Sequence, residues 1–289
     1  MSTQTSRTTT DAVPSQREHG SPHHGQHTAP AGASLPRAVL SEWTKLRSLR
    51  STWWTLVIAL GLAVGFAALL AAVVSNPDAQ QPQGGPGAGG LADPVGIALA
   101  SSTFSTLVLG VLGALVVAGE YATGSISSSL MALPRRWPLV VAKTAVLVGL
   151  LVPFTLVLSL ASLWVASLIY GDAATVDWAS SDTWLAVLGN CAYLVAVALL
   201  GLGLGLLFRT TAAAITVLAA IVFVAPPLLG LVTWDWVVAI NDHLPGVAGS
   251  SLASTTGGTL GTGEAWLTLL GWAAVPVLAG ALVLQRRDA

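Results

Sequence analysis

The sequence predicts an all-α membrane protein: six transmembrane helices behind an N-terminal interfacial amphipathic helix, with both termini cytoplasmic. Three observations carry this. Six apolar runs, 53–74, 97–118, 139–169, 185–208, 212–232 and 265–284, each reach the ~20 residues that a crossing needs. With those runs taken as spans, all twelve Lys and Arg residues fall on one side, while the alternate loops carry only acidic charge: Asp78 and Asp93, then Asp172, Asp177 and Asp182, then Asp235, Asp242 and Glu264. The positive-inside bias puts the basic side in the cytoplasm. Most of the eleven Trp residues, among them Trp53, Trp54, Trp137, Trp178, Trp184, Trp234, Trp236 and Trp266, stand at or beside span ends, where amphipathic rings prefer the interface. Composition agrees, since 54% of residues are hydrophobic and 9% charged, against roughly 25% charged in soluble domains.

Residues 1–34 are rich in Ser, Thr, Gln, Pro, Gly and His and have no apolar run to bury. Such a segment cannot offset the entropy of ordering, so a disordered cytoplasmic tail is expected, ahead of one membrane domain over 35–289. It has no signal-peptide core, which leaves the first span to serve as the insertion signal. Pro36 suits a helix start, and Val39, Trp43 and Leu46 follow at helical spacing with Lys45 and Arg37 on the other face. That pattern predicts a helix lying in the interface, basic side toward anionic head groups.

The first span leads into a Pro- and Gly-rich loop over 75–96, expected to be flexible. Ser101, Ser102, Thr103, Ser105 and Thr106 occupy the outer half of the second span. They have two readings: a hydroxyl-lined solute path open to the outside, or hydroxyls bonded to carbonyls of the preceding turn or to a neighbouring helix. In the third run Lys143 lies about one turn from the cytoplasmic end, close enough to snorkel. Pro153 in that run and Pro226 and Pro227 in the fifth predict kinks. Gly61 with Gly65, and Gly201 with Gly205, form G-x-x-x-G pairs, which permit close helix approach. In the last outer loop the apolar stretch 236–240 is too short to cross and reads as a short interfacial or re-entrant helix, with Asp242 and His243 at its end or turn.

Several chemistries are excluded or weakened. A formal net charge of −1 conceals the sidedness and gives no argument for nucleic acid as a partner. The lone Cys191 rules out an intramolecular disulfide. No histidine lies in a span, which removes an intramembrane Ser-His dyad or zinc hydrolase. The phosphate loop G-x-x-x-x-G-K-[ST] is absent, because the only Lys-Thr pair, Lys143 and Thr144, lacks both glycines; ATP hydrolysis by this chain is not expected. Spans almost bare of ionisable groups also weaken ion-coupled transport.

The most specific segment follows the second span: Glu120, Tyr121, Gly124, Ser125, Ile126, Leu130, Leu133, Pro134, Arg135 and Arg136. As a helix it would set Ile126, Leu130 and Leu133 on one face, able to dock in a partner's groove or to lie in the interface. Glu120, Gly124-Ser125-Ile126, Leu130, Pro134, Arg136 and Lys143, together with the opening Glu42-Trp43-Thr44-Lys45-Leu46-Arg47, resemble type-2 ABC transporter permeases. The resemblance covers about residues 37–287; Ser127 departs from it, since relatives often carry Arg there. It implies a non-enzymatic exporter permease in the cell (plasma) membrane, paired with a second permease subunit, identical or not, and binding no cofactor itself. ATP would enter through a separate cytoplasmic ATPase subunit, contacted by Glu120, Tyr121, Gly124, Ile126, Leu130, Pro134, Arg135 and Arg136. Drugs, lipids, peptides and glycans all fit as cargo. From the residues alone an ion-coupled secondary transporter and a non-transporting membrane scaffold stay open as alternatives.

Overall fold

A computed structural model describes residues 35–76, 93–122, 124, 137–171 and 174–286. The tail 1–34 and the contact residues Ile126, Leu130, Pro134, Arg135 and Arg136 lie outside them. Among the described residues there is no strand, and the helices follow one another as α1 (Leu35–Ser48), α2 (Arg50–Ser75), α3 (Pro94–Ala100), α4 (Thr103–Ala122), α5 (Trp137–Tyr170), α6 (Ser181–Phe208), α7 (Thr211–Ala219), a π-helical turn (Ala220–Val224), α8 (Ala225–Leu229), α9 (Asp235–Asp242), α10 (Pro245–Ala253) and α11 (Thr262–Arg286). Among the described residues six stretches are long and apolar enough to cross a membrane: α2, α4, α5, α6, the run Thr211–Leu229 and α11.

The mast of the bundle is α6. Within its most apolar stretch 78% of residues are buried, against 17% for Thr211–Leu229, so α6 is enclosed by neighbours and the fifth stretch lies at the periphery. Ser180 caps its start by accepting the Asp182 amide at 3.2 Å, which satisfies one of the amides left over at a helix N-terminus. Its glycines set the packing. A Cβ on Gly201 would run into the Gly110 carbonyl of α4, one on Gly205 would lie 2.8 Å from the Ala114 carbonyl, and one on Gly203 would meet Pro276 of α11. Gly113 of α4 is pressed against the Ala198 carbonyl in return. The Gly201–Gly205 pair therefore brings α4 and α6 together within the chain, as small residues do in membranes. Gly61 and Gly65 of α2 meet no atom within 4 Å.

Two predicted spans differ in detail. The second is not one helix from 97: α3 ends at Ala100 and α4 begins at Thr103. Hydroxyls cause the break, since Ser101 bonds the Ala98 carbonyl and Thr103 the Ala100 carbonyl at 2.6 Å, in competition with the helical ladder. Pro94 at the first turn and Asp93 as cap, accepting the Gly96 amide at 2.9 Å, start α3. The fifth ends at Leu229 rather than 232 and contains a π-helical turn. Pro226 and Pro227 follow that turn directly; a wider turn relieves the clash between a proline ring and the carbonyl four residues back. Pro153, by contrast, sits inside α5 without ending it.

The last loop is richer than expected. The helix predicted at 236–240 is α9, and His243 is its C-cap, but a second helix, α10, follows and packs on Gly189 and Tyr193 of α6. Arg47, Arg50, Lys143, Arg209 and Arg286 collect at one end of the bundle and Asp93, Asp177, Asp235, Asp242 and Glu264 at the other. These are the basic and the acidic end below.

Candidate functional site: a buried charge cluster at the basic end

At the basic end α1, the end of α4 and the start of α5 meet through four charges. Glu42 of α1 faces Lys143 of α5 at 2.8 Å, Lys143 faces Glu120 of α4 at 2.8 Å, and Lys45 of α1 joins Glu42 at 2.7 Å and Glu120 at 3.1 Å. The side chain of Lys143 is 2% exposed, that of Glu42 5%, and that of Lys45 44%. Lys143 therefore does not snorkel. Its third donor reaches the Val116 carbonyl at 3.5 Å, so all three ammonium protons have acceptors. Burial works against the charged carboxylate of Glu42, but Lys143 and Lys45 outweigh it and hold its pKa below the ordinary value. Burial likewise opposes the charge on Lys45, and bonds to Glu42 and Glu120 overcome it and raise that pKa. Each of these four charges has an opposite charge within 3.1 Å, the condition under which buried charge is tolerated.

The α1 helix presents Ala38, Glu42 and Leu46 to the bundle, one residue per turn. Val39 lies partly buried beside Leu139 and Ala142 of α5, while Trp43 and Leu40 point outward. The inward stripe thus includes a carboxylate and is displaced by about one position from the purely apolar face Val39, Trp43, Leu46. Beside Glu120, Tyr121 turns to another helix: its ring lies 5.5 Å from the guanidinium carbon of Arg209, the left-handed C-cap of α6 at φ 56°. Consecutive residues at the end of α4 accordingly engage α1 and α5 on one side and α6 on the other. Gly124 also has a positive φ of 70°, which a side chain would resist.

The five hydroxyl residues of the second span separate. Ser105 bonds the Ala59 carbonyl of α2, Thr106 the Ser102 carbonyl at 3.0 Å, and Ser101 the preceding turn. Ser102 donates to Asn190 of α6 at 2.8 Å, Asn190 donates to Ser159 of α5 at 2.9 Å, and Ser159 lies 3.7 Å from Cys191. Only Ser102 and Thr103 of the five border the cavity beside them. At the acidic end His243 Nε2 stands 3.1 Å from Glu264 and Nδ1 2.8 Å from the Ala239 carbonyl. That carbonyl foremost raises the imidazole pKa, burial opposes it, and Glu264 and Asp242 add to the rise. No group of three or more metal-ligating side chains occurs among the described residues.

Sequence reasoning placed none of Glu42, Lys143 and Arg209 in a site, reading Lys143 as a snorkelling side chain and Glu42 only as part of the resemblance. A signal existed for two of them: Lys143 is the one ammonium inside an apolar run, and Glu42 the one carboxylate in the basic segment before the first span.

A helical bundle with six stretches able to cross a membrane, its first helix ion-paired to the end of the second of them, fits a multi-pass membrane protein. The family described as "ABC-2 family transporter protein" matches residues 38–227, and the chain belongs to it: it is an ABC transporter permease. A comparison with curated proteins gives no match.

Proposed function

We propose that this permease is one half of a dimeric exporter in the plasma membrane, driven by a separate ATP-binding subunit that docks at the basic end. That end is assigned to the cytoplasm on the positive-inside bias. The observation that carries the reading is the buried cluster Glu42–Lys143–Glu120–Lys45. A push on the segment after α4 reaches α1 and α5 through Glu120, and α6 through Tyr121 and Arg209. A docking partner there moves four helices at once. The contact is assigned to Glu120, Tyr121, Gly124, Ile126, Leu130, Pro134, Arg135 and Arg136. Exposed Leu40, Trp43, Leu49, Trp53 and Trp54 support α1 as an interfacial helix. ATP is bound by the partner alone.

The test is co-expression with a candidate soluble ABC-type ATPase from the same organism, followed by affinity purification. ATP hydrolysis is expected in the complex and not in the purified chain. Ile126→Glu buries a charge without a counter-charge at the contact and should abolish co-purification and transport while leaving membrane insertion intact; Ser128→Glu should do much less. ATP binding by the purified chain, or full transport with Ile126→Glu, refutes the reading.

A further inference from the structure

At the acidic end a partly open cavity of about 530 Å³ lies between α3, the start of α4, α6, the π-helical turn and α10. Its volume falls within the roughly 300–1,000 Å³ of small-molecule sites. Ile97, Leu99, Val222 and Val247 supply apolar wall. Its polar lining shares one character: every hydroxyl proton whose bond is resolved is already spent within the protein. Ser102 donates to Asn190, Thr103 to the Ala100 carbonyl, Ser250 to the Val247 carbonyl and Ser254 to Asp93. What these oxygens turn to the cavity is lone pairs.

Among the described residues Asp93 is the one charged side chain in that lining, and no Lys, Arg or His of theirs borders it. The residue is 5% exposed. Its carboxylate accepts from the Gly96 amide at 2.9 Å, Ser254 Oγ at 2.6 Å, Thr255 Oγ1 at 2.7 Å and the Thr255 amide at 3.3 Å. It is hydrogen-bonded and fixed, yet among the described residues no cation stands within ion-pair distance. A buried carboxylate is ordinarily paired as well as hydrogen-bonded. The site therefore combines an apolar wall, oxygen acceptors and one uncompensated negative charge.

We propose that this cavity binds a lipophilic ammonium, its apolar body against Ile97, Leu99, Val222 and Val247 and its N–H donors toward Ser102 and the Asp93 side. As a statement of cargo class this rests on the permease reading; as a statement of binding it does not. The π-helical turn and the break between α3 and α4 both border the site. Both are places where backbone regularity has given way, as π-turns often do at functional positions.

The test uses the full chain in phosphatidylcholine nanodiscs without any ATPase, with empty discs correcting for partition into lipid. The probe is 9-aminoacridine, a fluorescent cation with N–H donors, set beside 9-anthracenecarboxylate, an anion of similar shape. Saturable binding of the cation is expected, at least about tenfold tighter than that of the anion, because one opposed charge decides the preference. Asp93→Asn should weaken the cation about tenfold, and Ala100→Phe, which fills the cavity, should abolish saturable binding. Equal affinity for anion and cation, or binding unchanged in Ala100→Phe, overturns the proposal. Should Asp93→Asn fail to fold, the probe pair on the unaltered chain and Ala100→Phe still decide. Displacement of the probe by added phosphatidylethanolamine identifies an aminophospholipid as occupant, and its failure a soluble amine; either is a lipophilic ammonium. A chain that recruits its ATPase but binds no cation sinks this inference alone.

Discussion

Lys143 holds the basic-end cluster together, because it is the one group that faces both carboxylates from a fully buried position. Lys143→Met would take from Glu42 and Glu120 the buried counter-charge they share, and removing one partner of a buried pair costs about 3–5 kcal/mol. Lys45→Met should cost far less, since that side chain is 44% exposed and screened. Pairing Lys143→Met with Glu42→Gln removes one charge of each sign and should recover part of the loss. Thermal unfolding of the purified single and double variants measures this; strictly additive losses would show that the two groups do not interact. The pH dependence follows from the two shifts. Glu42 has a lowered pKa, so its contribution is complete above the ordinary carboxylate value and is lost as pH falls through the lowered one. Lys45 has a raised pKa, so its contribution is complete below the ordinary ammonium value and is lost as pH rises through the raised one. The shares of Glu42 and Lys45 should stay flat across roughly pH 5 to 10 and fall outside it.

Helix contacts give a different kind of leverage, because the α4–α6 seam rests on backbone meeting backbone. A methyl group at Gly113 would collide with the Ala198 carbonyl, and neither side is a flexible side chain that can swing aside. Gly113→Ala should thus destabilise by at least the ~1–3 kcal/mol typical of overpacking, whereas Gly61→Ala, with open space around it, should not. Melting temperatures of the two variants in the same detergent separate the cases; equal values would deny the seam. The sequence displayed this seam as the Gly201–Gly205 pair, but the identical pair at Gly61 and Gly65 packs on nothing among the described residues. A spacing motif records that close approach is permitted, and the facing helix decides whether it occurs. The π-helical turn was beyond reach for a similar reason. Its residues Ala220–Val224 are as apolar as their neighbours, and Pro226 with Pro227 announces a disturbance without specifying a kink or a widened turn.

For the molecule as a whole, cysteines introduced into a Cys191→Ser background at Gln83, Ser180 and Thr256 should label from outside intact cells, and one at Ser128 should not. Labelling at position 128 would invert the topology. The spans were legible because membrane crossing sums over ~20 residues and tolerates local errors. The charge cluster was not, because it depends on single atoms from residues far apart in the chain: Glu42 and Lys143 are separated by 101 positions. That separation also orders events during synthesis. Until residue 143 has been made, Glu42 and Glu120 lack the buried ammonium that faces them both. The buried contact of the first helix is therefore expected to be complete only once the third membrane crossing has begun, which makes residue 143 the last piece of that latch to be synthesised.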